Sequence, residues 1–284
     1  MTENKKCLIC GSQLLKPIYE NTLLRCENCS FVFANLNIEK LNFNKIYSES
    51  YFKGSEYLDY PREKSIIQKN FAKRLKFITG KTDKKDVSNV LEIGCAYGFF
   101  GELINKYFPG IPYTGIDISK DAIEYGRKNL GLNLHSVDYL DFETEKVFSD
   151  IYLWDVIEHL PEPDKVIAKA SSELRRNGRL ILTTGDIDSF LARKQKRNWR
   201  LIHPPTHLFY FSKKTLIKLL EKNNLQVISI SYPSILRSLK QSWYSLFLLD
   251  KKKNNIAKNI FRILPDINIK INTFDIMMVM AIKK

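Results

Sequence analysis

The sequence predicts an α/β protein, in which a doubly wound and mainly parallel sheet follows a small cysteine-rich ribbon. Two observations support this prediction. From residue 90 onward, short runs rich in Val, Ile and Leu alternate with segments of helical periodicity. Four of the five cysteines lie within the first 29 residues, as two Cys-x-x-Cys pairs. A chain of 284 residues is long enough for one complete α/β domain and one small additional module.

The alternation of strands and helices can be followed along the chain. A lead-in helix is predicted from the apolar face formed by Ile67, Phe71, Leu75 and Ile78. The next predicted elements are strand 90–94, helix 98–108, strand 113–117, helix 120–130, strand 134–137, strand 150–155, helix 163–175, strand 179–184, a helix after Ser212, strand 225–231 and strand 275–282. Asn177-Gly178 predicts a helix stop before the fifth strand, and Ser212 is a typical helix cap.

The junction between the first predicted strand and its helix has the composition of a ligand-binding turn. Gly94 and Gly98 allow a tight turn without side chains, so a ligand can lie against the main chain. The second strand ends in Asp117, and an acid there can hold the two hydroxyls of a ribose. These residues predict a site for an adenosine-containing cofactor. Ala96, Gly98 and Gly101 also fit the nicotinamide fingerprint G-x-G-x-x-G, with Ala in first place, so a dinucleotide is the alternative.

Two sequence blocks favour S-adenosylmethionine over a dinucleotide. Residues 91–98, L-E-I-G-C-A-Y-G, are close to the motif L-[DE]-I-G-C-G-x-G, with Ala96 in place of the middle glycine. Residues 155–161, D-V-I-E-H-L-P, follow the predicted fourth strand. Over residues 51–284 the chain resembles the class I S-adenosylmethionine-dependent methyltransferases, and most of all their ubiquinone-type O-methyltransferase branch. The resemblance implies a Rossmann-like, seven-stranded doubly wound sheet with an antiparallel last strand, which the nicotinamide fold lacks.

The resemblance also implies which residues contact the cofactor. The glycine loop would line its methionine part. Asp117 would hold the ribose, Asp138 would approach the adenine amino group, and Asp155 would close the pocket near the reacting methyl. The full implied set is Glu92, Gly94, Cys95, Ala96, Gly98, Asp117, Ile118, Asp138, Tyr139 and Asp155. The alternative is a doubly wound domain that binds another nucleotide or none.

The N-terminal cysteines have the spacing of a structural zinc site. Cys7 and Cys10 form the first pair, and fifteen residues separate them from the second pair, Cys26 and Cys29. Four thiolates at this spacing suit tetrahedral Zn²⁺ and fill its coordination sphere, which leaves no open position for chemistry. Two disulfides or free thiols are the alternatives.

The predicted domain organisation has three parts. Residues 1–36 form the zinc ribbon, residues 37–80 an aromatic connector with the lead-in helix, and residues 81–284 the methyltransferase domain, with a helical insertion at about 233–270. The ribbon is expected to have a core separate from that of the main domain. The connector carries Tyr47, Tyr51, Phe52, Tyr57 and Tyr60. Either Tyr51 or Tyr60 covers the cofactor as part of a lid, or these rings pack the ribbon against the main domain.

Two histidines are candidates for the acceptor side of the reaction. His207 follows the fifth strand in a Thr-His pair that resembles one in the ubiquinone-type enzymes, and it is the first candidate for a base. His159 follows the fourth strand and is the second candidate; a purely structural role is the alternative for both. A metal pair of His203 and His207 is disfavoured, because two prolines between them exclude the helical spacing that would align both rings. Residues 193–200 add basic side chains around a Trp that could clamp a diphosphate or stack on a base.

Charge and composition bound the partners of the protein. The formal net charge is +14, and residues 190–284 hold 19 Lys or Arg against 4 Asp or Glu. Such a basic region indicates an anionic partner, namely a nucleotide-sugar, a phospholipid surface or RNA, unless it is only a solvated surface. The start of the chain does not resemble a signal peptide, and no apolar run reaches membrane-spanning length, so a reducing cytoplasm is expected.

The sequence therefore predicts an S-adenosylmethionine-dependent methyltransferase. The expected acceptor is a small anionic metabolite, such as a nucleotide- or lipid-linked sugar of surface-polysaccharide biosynthesis, and O-methylation is favoured. Ribbon-bearing relatives suggest this acceptor class; composition does not. An RNA methyltransferase and a non-catalytic methyltransferase-like binding protein are the alternatives. The sequence makes no prediction of the oligomeric state.

Overall fold

The described residues of the computed structural model, 5–47, 51–52, 59–81, 86–244, 255–265 and 267–284, form an α/β domain with a ribbon built onto it. The strands are β1 (Leu15–Ile18), β2 (Leu23–Cys26), β3 (Val32–Ala34), β4 (Val90–Ile93), β5 (Tyr113–Asp117), β6 (Leu134–Ser136), β7 (Phe148–Trp154), β8 (Leu174–Gly185), β9 (Phe209–Tyr210), β10 (Leu225–Ser231), β11 (Ile235–Ser238), β12 (Asn268–Ile271) and β13 (Ile276–Lys283). The helices are α1 (Phe43–Ile46), α2 (Lys64–Thr79), α3 (Phe99–Tyr107), α4 (Lys120–Leu130), α5 (Pro163–Glu173), α6 (Phe190–Gln195), α7 (Lys213–Lys222), α8 (Leu239–Trp243) and α9 (Asn255–Ile263).

The central sheet has seven strands in the order β10-β13-β8-β7-β4-β5-β6. Strands β4 to β8 are parallel to their neighbours within this group, and β13 is antiparallel to both β8 and β10. The predicted doubly wound sheet with its antiparallel last strand is therefore confirmed. The chain runs outward from β4 through β5 and β6, then returns to the other side of β4 with β7. This reversal creates a crevice at the carboxyl ends of β4 and β7, where open α/β sheets bind their ligands.

Both faces of the sheet are covered, because the central strands alternate large apolar side chains. Ile151 and Leu153 of β7 belong to the core that includes α5 and α7. Tyr152 and Trp154 point the other way, into the core that includes α2, α3 and α4. The two-residue period of a strand thus builds two separate hydrophobic layers from one segment. Burial on both faces explains why these strands read as nearly continuous apolar runs.

Two local predictions at helix ends had opposite outcomes. Ser212 caps α7 in a reciprocal arrangement with Thr215, so the predicted cap is confirmed. The predicted stop at Asn177-Gly178 is wrong, because α5 already ends at Glu173 and β8 begins at the next residue. Asn177 has a left-handed φ of 59°, and the register of β7 with β8 shifts between Phe148 and Asp150. Asn177-Gly178 therefore forms an irregular turn near the start of β8 and does not end a helix.

The ribbon does not have a core of its own, so the expectation of two separate cores is wrong. Strands β1, β2 and β3 form an antiparallel sheet whose fourth strand, β9, comes from the methyltransferase part of the chain. Cys7, Cys26 and Cys29 lie in the same apolar core as Leu91 and Ile93 of the central sheet. An element of three or four residues per strand is too small to be stable alone, which is a physical reason for this fusion. The exact domain boundaries stay predictions.

The insertion near the C-terminus contains two strands in addition to helices. Its ends form a two-stranded antiparallel sheet, in which Ile235 pairs with Ile271 and Ser238 with Asn268. Helices α8 and α9 lie between these strands, and residues 245–254 are outside the described part of the chain. Asn70 of α2 anchors this sheet through both its amide oxygen and its amide nitrogen, which bond the main chain of Leu236. Within the described ranges, none of the helices combines the length and apolarity needed to cross a membrane.

Candidate active site

A left-handed turn connects β4 to α3 at the carboxyl edge of the sheet. Gly94, Ala96 and Gly98 have φ values of 73°, 46° and 77°, a region that side chains disfavour. The main-chain amides of Gly94 and Cys95 both donate to the carbonyl of Ile116, at 2.8 and 3.0 Å. These bonds hold the turn against β5. The predicted glycine loop is thus present and opens towards the crevice at the reversal of strand order.

Close packing beneath the loop requires its two glycines. A Cβ atom at Gly94 would lie 2.4 Å from Cγ2 of Val156, and one at Gly98 would lie 2.8 Å from Cδ1 of Leu132. Both distances are shorter than any real Cβ contact, so a side chain at either position would displace the backbone. Packing against Val156 and Leu132 therefore restricts both positions to glycine, so that no side chain at these positions stands between a ligand and the main chain.

Asp117 locks the loop to the end of β5. Its Oδ2 accepts from the amide of Ala96 and its Oδ1 accepts from the amide of Ser119, each at 2.8 Å. Burial raises the pKa of this carboxyl, and the bonds from Ser119 and Ala96 oppose the shift. A carboxylate has about four acceptor positions, so these amides leave capacity for a hydroxyl of a ribose. The structure fits the predicted role of Asp117 and adds a second role in holding the loop.

Three of the predicted cofactor residues have buried side chains that contact other protein groups. Glu92 accepts a short hydrogen bond from the Tyr113 hydroxyl, and burial raises the pKa of its carboxyl. The Cys95 thiol also lies in the core, where burial and the charge of Asp117 raise its pKa. The Tyr139 hydroxyl donates to Glu173 at 2.6 Å. Contacts of these three residues with a cofactor stay predictions, and they could involve only the main chain.

Ile118 and Asp138 lie at the ends of the next two strands. Ile118 directly follows Asp117 and is half-buried. Asp138 is exposed, and its Oδ1 accepts from the amide of Leu140 at 2.9 Å, which caps a 3₁₀ turn over Tyr139–Asp141. The parallel strands bring both residues to the edge that carries Asp117. Their contact with an adenine ring stays a prediction.

On the other side of the crevice, the structure brings both predicted histidines together. The rings of His159 and His207 are 4.5 Å apart, and that of His203 is 3.9 Å from His207. The two prolines therefore do not keep His203 and His207 apart, because a turn between them brings the rings together. Glu158 adds a carboxylate whose Oε2 is buried without a hydrogen-bond partner among the described residues.

The hydrogen bonds of these histidines determine which ring nitrogen is available. Nδ1 of His159 lies 2.8 Å from the carbonyl of Thr206, which can only accept, so Nδ1 carries the proton and Nε2 keeps its lone pair. The Tyr47 hydroxyl donates to the same carbonyl at 3.2 Å and lies 3.1 Å from Nδ1 of His159. The ring of His207 bonds to the main chain of Leu201. The cluster is therefore fixed in orientation before any ligand binds.

Burial sets the protonation states in this cluster. It lowers the pKa of His159 to about 4 and that of His207 well below the ordinary value, so both imidazoles are neutral at physiological pH. It raises the pKa of Glu158 to about 8, and the nearby charge of Asp155 contributes to this shift. Two neutral bases and one carboxyl that titrates near neutrality can accept a proton from a bound hydroxyl.

Two sets of side chains could hold a metal ion in the described ranges. The ligand atoms of Cys7, Cys10, Cys26 and Cys29 lie within 4.8 Å of one another, and so do those of Glu158, His159 and His207. In the first set, Sγ–Sγ distances of 3.4 and 3.5 Å exclude disulfides. They are close to the separation of about 3.8 Å that a tetrahedral zinc with bonds of about 2.3 Å requires. The four cysteines therefore fit the predicted structural zinc site.

The aromatic connector contacts the glycine loop. The Tyr60 ring stacks on Tyr97 and Phe99 at 5.7 and 5.6 Å, and the Phe52 ring meets Tyr97 edge-on at 5.3 Å. Tyr51 lies between Phe52 and Tyr47. These contacts connect the loop with the histidine cluster. They are compatible with the predicted lid over the cofactor, whereas Tyr57 lies outside the described residues.

The predicted Trp in the basic segment cannot stack on a ligand. Trp199 is 2% exposed, and its indole nitrogen donates to Asp275 at 2.8 Å. Arg200 also pairs with Asp275, and Arg197 pairs with Glu20 of the ribbon. The expectation of a base-stacking Trp is wrong, because this ring fills a small core between the ribbon and β9. Arg193, Lys194 and Lys196 are exposed to an anionic partner, and Nε of Arg193 also lies 4.0 Å from the carboxylate of Asp188.

Comparison with known proteins identifies the family. A model described as a methyltransferase domain matches residues 64–230, which is more than half of the chain. The chain belongs to this methyltransferase family. Solved structures with the same fold include the plantazolicin methyltransferase BpumL in complex with SAH, at a TM-score of 0.53, 18% identity and coverage of 83% of this chain and 93% of that one. Another is magnesium protoporphyrin IX methyltransferase from Synechocystis with bound SAM. Its TM-score is 0.52 at 14% identity, and the match covers 88% of this chain and 100% of that one.

Curated relatives of this methyltransferase share only part of its length. A ubiquinone biosynthesis O-methyltransferase of Coxiella burnetii is 26% identical over 117 residues, which cover 39% of this chain and 49% of the relative. A malonyl-[acyl-carrier protein] O-methyltransferase of Ilyobacter polytropus is 26% identical over 162 residues, 56% of this chain and 59% of the relative. The chain thus spans about half of the length of the curated relatives that it matches. The family match shows a methyltransferase domain, and solved S-adenosylmethionine-dependent methyltransferases share the fold.

One buried basic residue that the sequence did not single out also lies beside the crevice. Arg74 of α2 is 8% exposed, and its Nε has no hydrogen-bond partner among the described residues. Its guanidinium stacks over Trp154 at 5.2 Å, and its Nη2 lies 3.7 Å from the carboxylate of Asp155. A buried guanidinium with an unused donor beside the crevice fits the carboxylate of the methionine part of the cofactor. In the sequence, Arg74 differs from other basic residues only in lying on the apolar face of α2.

The glycine loop provides the first test of the cofactor site. We expect Gly94→Ala to lower the affinity for S-adenosylmethionine by about tenfold or more, because the new Cβ meets Val156 and shifts the loop. Gly131→Ala is a matched control, since Gly131 has a similar φ of 63° and its Cβ would have nothing within 4 Å. Both changes should cost about 1 kcal/mol of stability through backbone strain. Titration calorimetry measures both affinities, and equal affinities would contradict the role of the loop.

Arg74 provides a second, independent test. We expect Arg74→Ala to weaken binding of S-adenosylmethionine by about 1.5–3 kcal/mol, as for a lost hydrogen bond to a charged group. Lys73→Ala removes an exposed cation from the neighbouring position of α2 and should leave the affinity unchanged. NAD should give no saturable heat with the wild-type protein. An Arg74→Ala variant that binds as tightly as the wild type would exclude Arg74 from the pocket.

Proposed function

We propose that this methyltransferase transfers a methyl group from S-adenosylmethionine to a hydroxyl oxygen of a small anionic metabolite. The single observation that carries the proposal is the fixed cluster of two neutral histidines and Glu158 opposite the glycine loop. An oxygen acceptor gains from a base that removes its proton, whereas a thiolate or carbanion acceptor needs no such group at this position. The curated relatives named above are O-methyltransferases, which supports the same acceptor atom.

The chain contributes binding and orientation on the cofactor side. When bound, S-adenosylmethionine supplies a reactive methyl group on a positively charged sulfur. Asp117 would hold the ribose, and the turn of Gly94 and Gly98 would line the methionine part. Arg74 would bind the methionine carboxylate, and Asp155, 42% exposed, would close the pocket near the sulfur. Methyl transfer depends above all on in-line alignment, which these contacts on one rigid sheet edge would provide.

On the acceptor side, the hydroxyl proton would pass to an imidazole of the cluster. His159 keeps its Nε2 lone pair because Nδ1 is bound to Thr206, and this ring is more exposed than that of His207. The sequence made His207 the first candidate for the base. Because His207 is more buried, we favour His159 as the group that contacts the acceptor. Glu158, with a pKa of about 8, would then stabilise the imidazolium or take up the proton. The cluster would act as one unit with a shared proton.

For the acceptor itself, we propose a nucleotide- or lipid-linked sugar of surface-polysaccharide biosynthesis. The basic last third of the chain supports an anionic acceptor, and its exposed cations Arg193, Lys194 and Lys196 follow the strand β8 that ends at the active-site edge. We further propose one structural zinc ion in the ribbon and a cytoplasmic location, where four reduced thiols persist. An RNA methyltransferase is the second candidate, since the same cations suit a nucleic acid.

The pH dependence tests the proton acceptor. With labelled cofactor and a panel of nucleotide-sugars, quinols and RNA, the wild-type protein should methylate one acceptor class; none would favour a binding protein without activity. On that acceptor, kcat/KM should rise with pH through about 8, because only ionised Glu158 can take up charge. Glu158→Gln should flatten this limb, and His159→Ala and His207→Ala should each lower kcat by about tenfold or more. Cofactor affinity should change little in all three variants.

A measurement of the unfolding temperature against pH distinguishes the predicted rise in kcat/KM from an effect of pH on stability. The pKa of Glu158 in the folded protein lies above its ordinary value of 4.5, so its protonated form favours the folded state. This contribution is present below about pH 4.5 and is lost as pH rises through about 8. The unfolding temperature of the wild type should therefore fall over the range in which kcat/KM rises. An activity limb that survives in Glu158→Gln would assign the proton transfer to another group.

Salt dependence distinguishes the two acceptor classes. A single-stranded RNA that contacts about five phosphates should show a slope of log affinity against log salt of about −3.5, whereas a small diphosphate, which carries no condensed layer of counterions to release, should give a much shallower slope. Neutralising Arg193, Lys194 and Lys196 should reduce the slope and raise the acceptor KM. Neutralising Lys106 and Lys128, which are exposed on α3 and α4, is the matched control and should change neither. A steep salt slope measured with the true acceptor would contradict the small metabolite and favour RNA as the acceptor class.

A further inference from the structure

The ribbon is joined to the histidine cluster by a continuous set of main-chain hydrogen bonds. Strand β3 pairs with β9, so that Val32 is opposite Tyr210 and Phe33 is opposite Phe209. The next amide of the ribbon, that of Ala34, donates to the carbonyl of Leu208 at 2.8 Å. Leu208 directly follows His207. The ribbon therefore provides the sheet partner of the segment that carries the acceptor-side histidine.

The same segment also holds Glu158. The amide of Leu208 donates to the carbonyl of Glu158 at 2.8 Å, and that of Phe209 donates to the same carbonyl at 3.2 Å. Leu208 thus binds the ribbon through its oxygen and Glu158 through its nitrogen. Since His159 is the next residue after Glu158, the position of β9 affects both sides of the cluster. A displacement of β9 would change the spacing of all three side chains.

A stack of rings supports this connection. Phe31 is fully buried, and its ring lies 5.9 Å from Phe209 and 5.4 Å from Phe211, on either side of Tyr210. The carbonyl of Phe31 accepts from the amide of Cys26 at 2.8 Å, and Cys29 is two residues before it. The second cysteine knuckle and the ring that supports β9 are therefore one local unit.

Metal binding determines whether this unit can keep its shape. The three ribbon strands contain only four, four and three residues, and a ribbon of this size depends on its metal for folding. The four thiols meet at a distance that suits zinc. Without the metal, the knuckle around Cys26 and Cys29 loses the bonds that hold it closed. Phe31 would then lose its fixed position against Phe209.

We infer that the cysteine ribbon is a positioning element of the methyl-acceptor site, and that Phe31 is the positioning residue through which its metal acts on Glu158, His159 and His207. This inference rests on the proposed function in one respect, namely that the cluster is where the acceptor binds. It assigns the ribbon a role in turnover and none in cofactor binding. Among the described residues, Gly94 bonds to Ile116, and Asp117 bonds to Ala96 and Ser119, which belong to the opposite side of the crevice from the ribbon.

The test compares Phe31→Ala, Phe31→Leu and the wild type as full-length proteins. Zinc content, calorimetric affinity for S-adenosylmethionine, kcat on the identified acceptor, and the ring-nitrogen NMR signals of His159 and His207 are measured for each. In Phe31→Ala we expect about one zinc per chain, an affinity within about threefold of the wild type, and a kcat lowered by about tenfold, with shifted ring signals. Phe31→Leu should restore most of kcat, because it refills the space. Leu14→Ala, at an exposed position of the same ribbon, is the matched control.

Zinc removal gives a second measurement if Phe31→Ala does not fold. Wild-type protein treated with a chelator should lose kcat and change its histidine signals, and re-added zinc should restore both. Unchanged signals and unchanged kcat, in Phe31→Ala or after verified zinc loss, would overturn the inference, as would a parallel loss of cofactor affinity. Signals that move while kcat stays constant would support the positioning of the cluster and overturn its proposed role as the acceptor site.

Discussion

The hydrogen bonds that Asp117 makes at the end of β5 are the constraint on which the cofactor side depends. One carboxylate accepts from Ala96 in the glycine loop and from Ser119 at the start of α4, so it couples two neighbouring strand ends. Gly94, Ala96 and Gly98 of the loop lie in the left-handed region, which strains the backbone only at Ala96, and the bond from the Ala96 amide to Asp117 holds that residue in place. Burial of the carboxyl makes these bonds stronger than they would be in water. A ribose would therefore meet an acid that is already oriented.

The acceptor side is built differently, from segments that are far apart in the chain. Tyr47 of the connector, His159 after β7 and Thr206 before β9 meet at one carbonyl oxygen. These three residues lie outside the strands of the central sheet, and the chain continues from Thr206 into β9, which pairs with the ribbon strand β3. The result is a crevice with one wall supplied by the sheet edge and the other by loops that the ribbon supports. Loops on a rigid scaffold are the usual place for substrate specificity.

Many elements of this fold were predictable because they depend on local patterns. Strands β4 to β8, strand β10 and the cap at Ser212 follow from periodicity and residue type, and the structure has them, whereas the short strand β9 was not predicted. Asn177-Gly178 misled the prediction, because the same dipeptide suits a helix end and an irregular strand. Trp199 misled it too, because a Trp among basic residues suggests an exposed ring, whereas its indole found a buried acceptor in Asp275, 76 positions away.

By itself, the sequence determined most of the order of strands and helices, the glycine loop, the acid at Asp117 and the spacing of the four N-terminal cysteines. Each of these is written in residues that are close in the chain, where spacing and backbone preference act directly. Only the tertiary structure decided that Arg74 lies beside Asp155, that Glu158 joins the histidines, and that β9 completes the ribbon sheet. These facts depend on contacts between distant segments, and such contacts arise from packing of the whole core, which leaves no local signature.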